Sequence, residues 1–331
     1  MENGNKKSKE NSKEKSKEKK GYAGFTTYYQ NIFGVKRWEQ LLLALESKER
    51  RALLANPYVD ADALVDAAKA AEARGEDFPP PSRLQVGKSV LLNYYIMDYA
   101  SILAAQALRV AVGDRVLDLC AAPGGKSLVL AYALLRAQTQ AQAGELLTLN
   151  EFSKERRERL KRTLRDYLPT QELEQRVQFS ARDASNWCLY EEDVYDKILL
   201  DAPCSSERHL LKRPEEMQKW SKRRSERLSQ QQYAMLISAL RALKDGGRLV
   251  YSTCALSPLE NDGVISRVLA RFKQQRERKR EWAEKSEIVV VKDLEFSLGE
   301  EREYGRMILP DSSEGWGPMY IAVLKKTEMG M

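Results

Sequence analysis

Apolar residues along this chain recur at two periods, and the change from one to the other divides it. From residue 21 to about 75 the spacing stays near the helical 3.6. YYQNIFGVKRWEQLLLALESKERRALLANPYV and the alanine-rich DADALVDAAKAAEARG therefore predict an N-terminal helical module. FPPPSR (78–83) ends it, because three successive prolines fit neither a helix interior nor a central strand; a linker is expected there.

From residue 88 onward short, nearly all-apolar runs alternate with longer helical ones. LLNYYIMDYASILAAQAL predicts a helix. DRVLDLC (114–120), ELLTLN (145–150), RVQFS (176–180), YDKILLD (195–201) and GRLVYST (247–253) predict strands. Between them lie three helical stretches: KSLVLAYALLRAQ, then SKERRERLKRTLRDYL with Leu160, Leu164 and Leu168 on one stripe, then a third carrying Tyr233, Leu236, Ile237, Leu240 and Leu243 before a KDGG stop. EIVVV (287–291) and MYIAVLKK (319–326) are expected to close the sheet with an antiparallel edge. Such alternation implies right-handed βαβ units, so the expected fold class is α/β: a mostly parallel sheet with helices on both faces. The expected division is a tail (1–20), a helical RNA-binding module with linker (21–87) and a catalytic domain (88–331).

Composition narrows the classes. At 331 residues and 43% hydrophobic content the chain can bury one good core and a small accessory unit. No apolar run approaches a membrane span of roughly 18 residues, and no charged-then-apolar leader opens the sequence, so a cytoplasmic protein with no membrane partner is expected. Cys120, Cys188, Cys204 and Cys254 are expected as free thiols; with one histidine and no CxxC pair, no metal is expected. The net charge of +7 invites a nucleic-acid reading, but the first twenty residues, with eight lysines and four glutamates, supply +4 of it. That tail has too few apolar residues to offset its ordering entropy and is expected to be disordered. It is a weak tether to phosphates or a solubilising segment, and unlike a transit peptide it has no arginine.

In open sheets of this kind ligands sit beyond the carboxyl ends of the strands. The first strand ends in Asp118-Leu-Cys-Ala-Ala-Pro-Gly-Gly-Lys126, where Gly124 and Gly125 admit close backbone approach and the next helix offers free N–H groups. The second ends in Asn150-Glu151, suited to ribose hydroxyls, and Asp183 after the third could meet an adenine amino group. Either acid alone is as well read as a helix cap; together the three strand ends point to a nucleoside. The fourth and fifth strands end in Asp201-Ala-Pro-Cys204 and Tyr251-Ser-Thr-Cys254, which puts two cysteines on the ligand edge. A lone strand cysteine is usually a small hydrophobe, the reading given to Cys188 and at first to Cys120, whereas a pair at this edge suits chemistry. The basic segment RHLLKRPEEMQKWSKRRSER (208–227), with His209, Trp220, Arg223 and Arg224, either grips phosphates and stacks bases or is a solvated helix face.

LDLCAAPGGK, LLDAPCSS and VYSTCALSPLEND together resemble the cofactor loop and two cysteine motifs of the Sun-domain (Nop2/Sun, RsmB-type) RNA cytosine-C5 methyltransferases. The similarity runs from about residue 88 to GRMILPDSSEGWGPMYIAVL, and YYIMDYASIL, SERHLL and GPMYIA resemble the mitochondrial ribosomal-RNA branch. The resemblance implies a Rossmann-like class I methyltransferase with a seven-stranded sheet and S-adenosyl-L-methionine as cofactor. It implies that Cys120, Ala121, Ala122, Pro123, Gly124, Gly125 and Lys126 line the methionine end, with Glu151 at the ribose and Asp183 at the adenine. Asp201 would lie between cofactor and base, Cys254 would be the nucleophile and Cys204 would assist product release. Lys126 is the candidate activator of Cys254. Departures from the family pattern are Ser205-Ser206-Glu207 in place of a glycine-containing stretch, Glu151 where aspartate is frequent, and Asp262 for a glutamate.

The implied partner is RNA, ribosomal ahead of transfer RNA, with a helper protein as a further expectation of that branch. Flipping or unstacking the base is required to reach its carbon-5, which favours loops. The rivals are a transfer-RNA cytosine-5 methyltransferase, a catalytically weak RNA-binding assembly factor, a DNA cytosine methyltransferase with its nucleophile in the Pro-Cys motif, and a thiol redox protein. The Thr-Cys motif argues against the DNA enzyme and the missing CxxC against the redox protein.

Overall fold

The computed structural model describes residues 20–60, 62–135, 146–278 and 286–328. The tail expected over residues 1–20 lies outside them except for Lys20, as do the last residues of the helix expected to run to Gln138.

Two helices open the described chain, α1 (Gly21–Phe33) and α2 (Val35–Glu46), turned at Gly34, whose φ of 81° suits glycine. The helical period then misleads. Residues 52–55 form a strand, β1 (Ala52–Ala55), before α3 (Asp62–Ala73). β2 (Arg83–Val86) and β3 (Ser89–Leu92) make a hairpin, and β4 (Tyr94–Met97) pairs antiparallel with β1. Only the end of the helix expected over 91–108 is helical, as α4 (Tyr99–Gln106), because Asp98 caps it by accepting from the Ala100 N–H at 2.7 Å. Upstream, the Tyr-Tyr-Ile run suits a pleated surface, and pairing with β1 decides the matter.

The main sheet is laid down by β5 (Arg115–Asp118), α5 (Gly125–Leu135), β6 (Leu146–Asn150), α6 (Lys154–Tyr167), α7 (Thr170–Arg176), β7 (Val177–Ser180) and β8 (Tyr195–Asp201). It continues through α8 (Glu207–Leu211), α9 (Pro214–Gln218), α10 (Lys222–Ala242), β9 (Leu243–Thr253) and α11 (Asp262–Glu277). The last strands are β10 (Ser286–Val291), β11 (Glu300–Glu301), β12 (Arg306–Ile308) and β13 (Met319–Glu328). Strand order is β11-β12-β13-β9-β8-β5-β6-β7, with β10 also on β13. Among the described residues this gives nine strands rather than seven. The five from β7 to β9 are parallel and the rest antiparallel, two of them too short to show in the apolar pattern.

The central strands are buried on both faces, so neighbouring residues feed different cores. Leu117, Ile198, Leu200, Leu249 and Tyr251 pack with α1, α2, α10 and α11, whereas Val116, Leu199, Val250 and Ile321 pack with α4, α5 and α6. In the first layer Phe25 and Tyr29 lie 5.5 and 6.4 Å from Trp220 between ring centroids, and Trp38 lies 5.5 Å from Phe25. The winding direction reverses between β5 and β8, which makes the carboxyl ends of these two strands the crevice to examine.

Candidate active site

Beyond β5 the chain bends through Cys120 and Ala121, whose N–H donates to the Asn150 carbonyl at 2.9 Å, and enters α5 at Gly125. Gly124 has φ of 115°, and a Cβ there would stand 3.0 Å from Thr163 Cγ2; one on Gly125 would stand 2.8 Å from Tyr95 Cε1. These glycines therefore let the loop sit tightly between α6 and β4, a packing demand as well as room for a ligand. Asp118 is buried beneath the loop; one oxygen accepts from the Ser127 hydroxyl at 2.8 Å and the other has no hydrogen-bond partner. Burial, reinforced by Asp201, pushes its carboxyl up to about 7.

That shift has a sign in stability. The folded value lies above the unfolded one of roughly 4, so the native state holds the proton more tightly, and the contribution is lost as pH rises through about 7. Wild-type stability measured by urea unfolding is expected to fall by about 2 kcal/mol between pH 5 and pH 8 relative to an Asp118→Asn variant. Parallel pH dependences would contradict this.

At the end of β6, Asn150 is a tie: its amide donates to the Leu119 and Arg182 carbonyls at 3.0 and 2.9 Å, and its oxygen accepts from the Arg182 N–H at 2.9 Å. Glu151 is buried, with one oxygen on the Ser153 N–H. Its other oxygen has Arg156 at ion-pair distance, 3.4 Å, yet no hydrogen bond. A buried acceptor left open in this way fits a pair of ribose hydroxyls. Asp183 is exposed and caps a 3-10 turn, accepting from the Ser185 N–H at 2.9 Å and the Asn186 amide at 3.0 Å. Its carboxylate is thus occupied as a cap.

The crevice proper holds an ion pair and a sulfur pair. Lys126 donates to Asp201 at 2.9 Å and to Ser101 at 3.2 Å, and Ser252 donates to the second Asp201 oxygen at 2.8 Å. Burial works against the Lys126 ammonium, but Asp201, helped by Cys254 and Asp118, holds its pKa above the ordinary lysine value. Beyond it Cys204 Sγ and Cys254 Sγ are 3.1 Å apart. Ser206 Oγ stands 3.2 Å from Cys254 Sγ and 3.4 Å from Cys204 Sγ. With φ of 52° and ψ of 58°, Ser206 occupies the left-handed region, which costs a non-glycine residue and turns its hydroxyl onto the two sulfurs. Hydrogen bonding from Cys204, then from Ser206, draws the Cys254 thiol below its ordinary value against the pull of burial. The same contact, with burial, drives Cys204 well up. Of the two sulfurs, Cys254 is thus the easier to ionise and Cys204 the one that keeps its proton longer. Burial, then Asp118, pushes the half-buried Cys120 thiol well above its ordinary value.

The structure therefore gathers Cys204, Cys254, Asp201 and Lys126 into one crevice, with Glu151 and the 120–126 loop beside it and Asp183 at its outer edge. The contacts that lower the Cys254 pKa come from Cys204 and Ser206, whereas Lys126 is held by the Asp201 carboxylate. Ser206, Ser252, Ser101 and Asp118 were not singled out by sequence; only Ser206 carried a signal, its place two residues after the Pro-Cys cysteine. In the basic segment, Trp220 is buried and Arg208 is buried against the Gly317 carbonyl at 2.5 Å, so neither is offered to a base or phosphate. His209 and Arg223 are exposed.

Residues 105–325 match the family described as 16S rRNA methyltransferase RsmB/F. The chain is 36% identical to the 5-cytosine rRNA methyltransferase NSUN4 of Bos taurus over 73% of its own length and 61% of that protein's. It is 37% identical to the mitochondrial tRNA (cytosine(34)-C(5))-methyltransferase of Mus musculus, over 77% and 69%. It thus spans about three-fifths of the length of the NSUN4 relatives it matches. The solved structure of NSun6 from Pyrococcus horikoshii overlays with a TM-score of 0.67 at 17% identity, covering 92% of this chain and 98% of that one, a likeness of fold. The expected cytoplasmic location is overturned: the relatives whose names carry a compartment, from Danio rerio and Mus musculus, are mitochondrial. The lack of a transit-like pattern in the Lys/Glu tail was the wrong guide. With the matched region running through the glycine loop and both cysteine loops, on a class I methyltransferase fold, the chain belongs to the RsmB/F family of methyltransferases, on its NSUN4-like branch.

Proposed function

We propose that this chain is an S-adenosylmethionine-dependent RNA cytosine-5 methyltransferase acting on ribosomal RNA in mitochondria, with Cys254 adding to carbon-6 of the target base. The observation that carries the reading is the Cys254 sulfur held between Cys204 and Ser206 and facing the Lys126–Asp201 pair across one crevice. Family relatives named as cytosine-5 enzymes support the reaction class, and NSUN4 supports the ribosomal substrate. Residues 21–87 are read as the part that meets RNA outside the crevice.

Bound S-adenosylmethionine would supply an electrophilic methyl group. Glu151 and the 120–126 loop would hold it, and Asp183 would meet the adenine edge by releasing one of its cap contacts. Carbon-5 of cytosine is a weak nucleophile until the Cys254 thiolate bonds to carbon-6 and pushes the ring electrons toward carbon-5. Asp201 and Lys126 lie where they can hold the polar edge of the base as charge develops on it. Once Cys254 is bonded to carbon, its charge no longer keeps the Cys204 proton in place. Cys204 can then pass its proton to solvent and take the carbon-5 proton, whose bonding electrons restore the ring double bond as the Cys254–carbon bond breaks and its electron pair returns to the Cys254 sulfur.

Bisulfite sequencing of mitochondrial ribosomal and transfer RNA, in cells lacking this gene and rescued with wild type or Cys254→Ala, tests the reading. A ribosomal cytosine that only the wild type restores is the expected result. Loss confined to transfer RNA would move the substrate, and no change at any cytosine would leave an RNA-binding assembly role in its place.

A further inference from the structure

We propose that Glu207 and Glu260 are positioning residues that fix the contact between the two active-site cysteines, each carboxylate gripping the backbone of the other cysteine's loop. Cys204 and Cys254 leave two different strands, β8 and β9, and no covalent bond joins their loops. Yet the sulfurs meet at 3.1 Å with Ser206 against both, a contact that a shift of one loop by an ångström would break.

Glu207 belongs to the Cys204 loop and reaches across: one oxygen accepts the Leu256 N–H at 2.9 Å, two residues beyond Cys254. Glu260 belongs to the Cys254 loop and reaches the opposite way, accepting the Ser205 N–H at 2.9 Å, one residue beyond Cys204. The two grips meet on Ser205, whose hydroxyl donates to Glu207. Each carboxylate is also anchored outside the loops. Tyr29 of α1 donates to Glu207 at 2.6 Å, and Gln232 of α10 donates to Glu260 at 3.0 Å and to the Pro203 carbonyl at 2.9 Å.

Both acids have no exposed surface, and burial, then the neighbouring Glu207, raises the cost of charge on Glu260. Burying two acids side by side is an expensive way to fill a core, and apolar residues of the same volume would do it more cheaply. What carboxylates add here is an acceptor of fixed reach at two backbone N–H groups. Neither touches a sulfur, so they act through Ser205, Ser206 and Leu256.

The inference rests on the proposed chemistry only for its kinetic readout; the other readout is the sulfur itself. Full-length protein carrying Glu260→Ala, Glu260→Gln or Glu260→Asp is alkylated with iodoacetamide across pH. Modification is read by mass on the tryptic peptides 249–267, holding Cys254, and 198–208, holding Cys204. Glu260→Ala is expected to raise the Cys254 alkylation midpoint by about one pH unit, about tenfold less thiolate near neutrality, and to lower kcat about tenfold while KM for the cofactor stays within about twofold. Glu260→Gln, which keeps an acceptor at the same reach, is expected to restore both. Glu260→Asp, which keeps the charge but is one methylene short, is expected to fall between them and guards against misfolding of the alanine variant. An unchanged alkylation profile in the alanine and aspartate variants overturns the proposal, as does a glutamine variant as impaired as alanine. Absence of methyl transfer in the wild type would count against the proposed reaction and leave the alkylation result standing.

Discussion

Cys254→Ala is expected to abolish methyl transfer, by at least about 10³-fold, with cofactor binding unchanged, whereas Cys204→Ala is expected to lose turnover while retaining a covalent bond to RNA. The asymmetry follows from the sulfur pair. Cys254 stands in hydrogen-bond contact with both Cys204 and Ser206, contacts that lower its pKa, so in the proposed reaction it is the sulfur that attacks carbon-6. Cys204 is pushed the opposite way, and in the proposed reaction its task begins once that attack is complete. Without it the adduct forms and is methylated, but the carbon-5 proton has no carrier and elimination stalls. A denaturing gel of the Cys204→Ala protein incubated with cofactor and labelled RNA should show a slow band that Cys254→Ala and the double variant lack. A band in the Cys254 variant would reverse the roles. Some loss of adduct in Cys204→Ala is also expected, because the partner that lowers the Cys254 pKa is gone.

The second large effect concerns the ion pair. Asp201→Ala leaves the Lys126 ammonium, only 13% exposed in its side chain, without its carboxylate, and removes the acceptor of Ser252. Losing one partner of a largely buried pair costs a few kcal/mol, because the remaining charge stays out of water. We expect kcat to fall by about 10²- to 10³-fold and Lys126→Met to fall similarly. The double variant should be no worse than either single one, as two members of one unit are not additive. Single-turnover rates with saturating RNA decide this. Additive losses would mean that Asp201 and Lys126 act on different atoms of the substrate.

The central parallel strands were legible because burial on both faces leaves them as largely apolar runs, and their ends carry the residues that matter. Glu151, Asp201, Cys204 and Cys254 stand at or just beyond strand ends where the alternation places them. The segments that misled are those decided from a distance. Ala52–Ala55 has a helix-like neighbourhood and becomes a strand because Tyr94–Met97, forty residues away, offers it a partner. Trp220 and Arg208 sit in a basic stretch, but charge along a chain does not say which side of a short helix faces the core. Sequence offered Lys126 only as a candidate activator of Cys254. Its pairing with Asp201, and the left-handed turn that brings Ser206 to the sulfurs, are properties of packing. Location was misread for a simpler reason: a Lys/Glu tail unlike a transit peptide was taken as a sign of the cytoplasm.

The central claim is that Cys254 bonds to carbon-6 of cytosine during the reaction. RNA containing 5-fluorocytosine tests it directly, because fluorine at carbon-5 cannot leave as a proton does and the adduct cannot collapse. Wild-type protein incubated with cofactor and this RNA should gain the mass of a methylated fluorocytidine nucleotide on the peptide 249–267 after nuclease and trypsin digestion. The same mass on 198–208 instead, or on neither peptide while ordinary RNA is still methylated, would contradict the account.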